Sequence, residues 1–133
     1  MSDRLIKDEV FCMDQLDSAT VGTPISVSGF RHIILQFSTT DSANLTIQFQ
    51  GSASKTAPTF VSTPAKDSHW DYTAVIDLED SKVIEGDTGI ALSASDDLRL
   101  LMVNTDALSW FNADLSTYVA GKVTLKVVGF SNA

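Results

Sequence analysis

The sequence predicts an all-β fold, a single antiparallel β-sandwich of jelly-roll or Ig-like type with about eight short strands. Three observations lead there. Apolar residues alternate with polar ones at a period of two in one run after another, which is the spacing of a half-buried strand. Clusters of Gly, Pro and small polar residues interrupt the chain roughly every ten residues, as turns between short strands do. No segment carries a convincing amphipathic helical stripe. At 133 residues the chain is one domain in size, long enough to bury a real core but not two.

Residues 1–9 offer little to bury and read as a flexible arm, ordered only by a partner; residues 10–133 form the domain. The first strand spans Val10 to Leu16. Gly22, Thr23 and Pro24 turn the chain into Ile25 to Ser28, and Gly29 separates this run from the next. Ile33, Leu35 and Phe37 then alternate with His32, Ile34, Gln36 and Ser38. After TTDSA the pattern repeats as Leu45, Ile47 and Phe49, so the two runs are expected to pair as an antiparallel hairpin. Residues 52–68 hold two prolines and many small polar residues, with Phe60 and Val61 as apolar content, and read as a long surface loop pinned by Phe60.

The next strand is expected from Trp70 to Leu78, with Tyr72, Ala74, Ile76 and Leu78 on the core face that Trp70 shares. The turns EDSK and EGDTG lead to a short strand at Ile90 to Ala94. Leu98 to Thr105 comes after it; its stretch from Leu100 to Val103 is apolar on both faces, which suits a central strand or one whose outer side meets another subunit. Leu108 to Leu115 is short enough to favour a strand over a helix, with Phe111, Ala113 and Leu115 inward. The last run, Lys122 to Phe130, puts Val123, Leu125 and Val127 on one face and Lys122, Thr124 and Lys126 on the other.

Composition narrows the function classes. Asp and Glu outnumber Lys and Arg by 17 to 9, and the net charge of −8 repels phosphate backbones, so nucleic acid is not an expected partner. No apolar run approaches the roughly 18 residues of a membrane span. MSDRLIKDEV carries both signs of charge where a signal peptide needs an apolar stretch, so the chain is expected to be made in the cytoplasm. Cys12, the single cysteine, lies between apolar neighbours and is expected to be packing.

Catalytic sets are hard to assemble. Ser68, His69 and Asp71 are too close along an extended chain to form a relay, because successive side chains point to opposite faces. Asp77, Glu79, Asp80, Glu85 and Asp87 are the best calcium candidates but lack the regular DxDxDG spacing, and turn carboxylates more often cap backbone amides. No enzyme activity, metal or cofactor is expected. Interface candidates are Phe60 and Val61 on the long loop, Leu101 and Val103 on the doubly apolar strand, and Trp110, whose parity opposes Phe111. Trp110 and Tyr118 could instead stack sugars, as in a carbohydrate-binding module.

Two blocks, HWDYTAVIDLEDSKVIEGDTGIAL at 69–92 and DLRLLMVNTDALSWFNADLSTYVAGKVTLKVVGF at 97–130, carry a resemblance. Together they resemble small structural proteins of tailed bacteriophage virions, matched here at Trp70 and Tyr72, Asn104, Tyr118 and Gly121. The resemblance covers about the last half of the chain. It implies a β-sandwich or jelly-roll module on the capsid or tail and brings no catalytic residue. The function expected from it is that of a capsid decoration or cement protein, homo-oligomeric and located in the virion, that clamps major capsid subunits. The alternatives are a tail or connector component and a carbohydrate-binding module.

Overall fold

The computed structural model describes residues 4–6, 9–93 and 98–132. Their regular structure is β throughout: β1 (Arg4–Ile6), β2 (Val10–Leu16), β3 (Thr20–Val21), β4 (Ile25–Ser26), β5 (His32–Ser52), β6 (Asp71–Tyr72), β7 (Val75–Asp77), β8 (Val83–Ile84), β9 (Ile90–Leu92), β10 (Leu98–Asn104) and β11 (Trp110–Asn132). All pairings are antiparallel and join the strands into one network. The all-β expectation therefore holds, but the strands are not uniformly short. β5 has 21 residues and β11 has 23.

These two strands organise everything else. They pair along almost their whole length, from Phe130 opposite His32 to Trp110 opposite Ser52. A straight strand would separate Phe37 from Phe49 by about 40 Å. Their ring centroids are instead 6.2 Å apart, so the β5–β11 ribbon folds back on itself and its two halves face each other. One layer contains β11 from Val123 onward and the first half of β5, extended by β10, β7 and β8 on one side and by β2 and β1 on the other. The second layer contains the opposite halves, flanked by β3 and β4 on β11 and by β6 and β9 on β5.

The expected hairpin between residues 33–37 and 45–49 is thus corrected: the two runs do not pair with each other, and each pairs with its own half of β11. TTDSA does not reverse the chain. Asp41 and Ser42 adopt left-handed φ of 60° and 54°, which turns a corner between layers while the strand continues. Opposite that corner the register of β11 shifts on either side of Ala120, and Gly121 has φ 88°. A Cβ at Gly121 would lie 2.4 Å from Ala43 Cα, so both the conformation and the space demand glycine.

The inward faces agree with the period-two reading on the long strands. Ile33, Leu35, Phe37, Ile47, Phe49, Phe111, Ala113, Leu115, Val123, Leu125 and Val127 are all fully buried in one core, joined by Leu45. The Trp70–Leu78 strand departs from it. β6 pairs with β5 in the second layer and β7 with β10 in the first, so the chain crosses between layers at Thr73 and Ala74 and the inward parity resets. Val75 and Asp77 are buried and Leu78 is exposed, the reverse of the expected face.

Residues 4–6, assigned above to a flexible arm, form a strand against Phe130, Ser131 and Asn132; residues 1–3 and 7–8 of that arm lie outside the described residues. β2 has the bounds read from the sequence, while the strand expected at Ile25 to Ser28 is shortened to Ile25–Ser26. β9 ends at Leu92, and Ala94, the expected end of that strand, lies outside the described residues.

Replacing Gly121 by Ala is expected to lower unfolding stability by about 2 kcal/mol, from the left-handed conformation and the contact with Ala43 together. Val119→Ala, two residues away at a 65% exposed position, is expected to change it by less than about 0.5 kcal/mol. Urea denaturation of the two variants measures the contrast.

Candidate functional site

On the first layer, the positions that alternate with the core residues form an outward face. Register places Val128, Ile34, Met102, Ile76 and Val83 in one transverse row across β11, β5, β10, β7 and β8. The adjacent row runs from Phe11 through Lys126, Gln36 and Leu100, and Leu78 N donates to Leu100 O at 3.2 Å to extend it. Leu98 begins a third row opposite Ser38. Side chains paired across strands lie on one side of a sheet, so these rows make a continuous surface. Five of the seven large apolar side chains that are exposed among the described residues, Phe11, Leu78, Val83, Leu98 and Leu100, stand on it.

Where β7 ends, Leu78, Glu79, Leu98 and Leu100 border an open groove of about 410 Å³ with Asp77 and Arg99 in its lining. Asp77 and Arg99 occupy core-facing register positions and form a largely buried ion pair, which closes this end of the core. The other oxygen of Asp77 accepts a 2.9 Å hydrogen bond from Glu79 N, fixing the turn that carries Leu78. Lys126, on the apolar face, pairs with Glu9 at 3.7 Å and stands 5.8 Å from the Phe11 ring centroid.

The structure sorts the five interface candidates named from the sequence. Leu101 and Val103 are fully buried in the core, because β10 is covered on that face by the second layer; the outward side of the same strand, Leu98, Leu100 and Met102, is the side available to a neighbour. Phe60 is also buried, packed at 5.6 Å between ring centroids against Trp70, which meets Tyr72 at the same distance. This small aromatic cluster pins the long loop. Val61 is exposed, and Trp110 is half-buried with its Nε1 donating to Lys55 O at 3.5 Å. Trp110 and Tyr118 lie eight residues apart on β11, about 26 Å in an extended strand, too far to make one stacking platform. The Tyr118 hydroxyl donates to Gly121 O.

The turn carboxylates serve the backbone. Asp80 Oδ1 accepts from Lys82 N and Asp87 Oδ1 from Thr88 N, both at 2.9 Å. Among the described residues no three His, Cys, Asp or Glu side chains gather as metal ligands. Ser68 Oγ accepts from Ala65 N, and His69 has φ 61° while its carbonyl accepts from Ser52 Oγ at 2.6 Å.

The sequence reading missed a buried polar chain on the second layer. Asn112 and Gln50 alternate with Phe111 and Phe49, yet both are fully buried. Cys12 Sγ donates to Asn112 Oδ1 (3.4 Å), Asn112 Nδ2 to Gln50 Oε1 (3.1 Å) and Gln50 Nε2 to Val61 O (2.7 Å). This relay ties β2 to the long loop across the sheet. Burial pushes the Cys12 thiol up to about 12, so it stays protonated and serves as a donor. Asp114, two residues on, is buried with Oδ2 lacking a hydrogen-bond partner, and desolvation raises its carboxyl above the ordinary range.

No protein-family description matches the chain, and no curated protein does. Solved structures share its fold. The SPBc2 prophage-derived protein YomS superposes with a TM-score of 0.71 at 12% identity, covering 98% of this chain and 96% of YomS. The PBSX exported protein XepA superposes with a TM-score of 0.72, also at 12% identity, covering 96% of this chain and 38% of XepA. The two-layer fold thus stands as nearly the whole of one solved chain and as part of a longer one.

The buried charges set two expectations. Asp77→Ala removes the carboxylate that binds Arg99 and accepts from Glu79 N and is expected to cost about 3 kcal/mol, against less than about 0.5 kcal/mol for Lys126→Ala, whose pair is exposed; chemical denaturation compares them. Because the folded carboxyl of Asp114 titrates above its unfolded value, the native state is favoured by protonation below that unfolded value and loses the advantage as pH rises through the folded one. Asp114→Asn is therefore expected to raise Tm at pH 7, with the gain shrinking towards zero near pH 3.5. A gain that persists unchanged at acid pH would contradict the assignment.

Proposed function

We propose that this chain is a non-enzymatic phage structural protein that acts by docking onto neighbouring virion subunits. The observation that carries the reading is the nearly end-to-end likeness in fold to the prophage-derived YomS, 98% of this chain on 96% of that one. A two-layer β module with a single well-buried core is physically suited to such work, since docking needs a fixed surface more than a cleft. Its position is that of a decoration or cement protein: many copies bind major capsid subunits through individually modest contacts that add by multivalency. The net charge of −8 would meet basic patches on the shell, with Val61 and Trp110 available beside the long loop.

A second reading has its own observation. The same fold makes up 38% of the exported PBSX protein XepA, which favours a phage-encoded protein that is exported and works apart from the particle.

Purified phage particles separate the two. The first reading expects the protein to co-sediment with particles, and to bind shells assembled from the major capsid protein more tightly at low salt than at high salt. Absence from particles together with no binding at either salt concentration would overturn it, and recovery of the protein only from the culture medium would support the second.

A further inference from the structure

Among the described residues, none covers the apolar face of the first layer. It concentrates five of the seven exposed large apolar side chains of the described residues, and Val83 and Leu98 are 67% and 69% exposed. A soluble chain rarely leaves so contiguous a surface in water. Its charges decide what can cover it. Arg99 is paired with Asp77 and Lys126 with Glu9, so that with Glu79 the described residues of this face carry a net of one negative charge, against −8 for the whole chain. A basic partner would be drawn to the rest of the surface, where the carboxylates are in excess. A second, equally acidic copy is repelled by that same excess and can approach only where charges nearly cancel.

We infer that this face is the contact surface for a second copy of the chain, joined face to face about a two-fold axis. The rows together span six strands, about 24 Å at the usual strand spacing, and the three of them stand about 14 Å deep along the strands. A patch of that size is the apolar centre of a standard interface of about 800 Å² per partner, with polar residues around it. A two-fold axis requires the surface to be self-complementary. On one face the chain carries both projecting leucines of β10 and a groove bordered by Leu78, Leu98 and Leu100, so a two-fold axis would set the leucines of each copy against the groove of the other. The contact is driven by apolar burial, so salt hardly weakens it.

The inference is independent of any virion location and is tested on the purified chain alone. Sedimentation velocity at about 5 to 100 μM is expected to show a dimer that persists in roughly 0.5 M NaCl. Leu98→Glu and Leu100→Glu, both at exposed positions, are expected to weaken dimerisation at least tenfold with an unchanged circular dichroism spectrum, while Val61→Glu and Val119→Glu leave it intact. A wild-type monomer at about 100 μM, a dimer lost at high salt, or a dimer indifferent to both leucine substitutions would each overturn the assignment.

Discussion

The fold depends on one constraint: a β-ribbon of 21- and 23-residue strands is too long for the core it must enclose, so it has to bend. A twisted ribbon can cover both sides of one core only if its two strands turn the same corner without losing their pairing. Asp41 and Ser42 on β5 and Gly121 on β11 make that corner in left-handed backbone, facing each other across the register shifts. Once it is made, Phe37 meets Phe49 from the opposite layer, and the other strands add to the edges of β5 and β11 or, as β7 and β8 do, extend outward from β10.

Polar groups obey the same geometry. The second layer is covered on its outer side by Cys12 and the long loop, which would bury unsatisfied amides if the Cys12–Asn112–Gln50–Val61 relay did not satisfy them. Asp114 stands just beyond this relay and has an oxygen without a partner, so it costs stability where its neighbours contribute it. Among the described residues the first layer has no comparable cover, and its outer side is rich in exposed apolar side chains, with the Asp77–Arg99 pair sealing the end of the core beneath it. The two layers therefore differ in how the described residues treat their outer sides: one is closed by a polar relay and the other leaves apolar side chains exposed.

Alternation along single strands was legible in the residues because a pleated strand has a period of two whatever it pairs with. Hence the apolar buried positions of β5 and β11, the bounds of β2, and the inward Phe111, Ala113 and Leu115 could all be read directly. Leu101 and Val103 were equally visible as apolar, but a run apolar on both faces does not say which side is core and which is surface. The answer, Leu98, Leu100 and Met102 outward, came from the layer lying over the other side. The buried relay had no sequence signal, since Asn112 and Gln50 look like ordinary solvent-facing residues until a distant loop covers them.

By itself, then, the sequence determined the all-β class, the alternating core of the long strands and the lack of a recognisable catalytic motif, each a property of local spacing and residue chemistry. Tertiary structure alone decided that residues 33–37 and 45–49 are one bent strand, that the parity resets between Tyr72 and Val75, and that Leu101 is buried while Leu100 is not. The reason is physical. A turn and a corner use the same small polar residues, and only the partner strand, more than sixty positions away in sequence, determines whether the chain reverses or bends and continues.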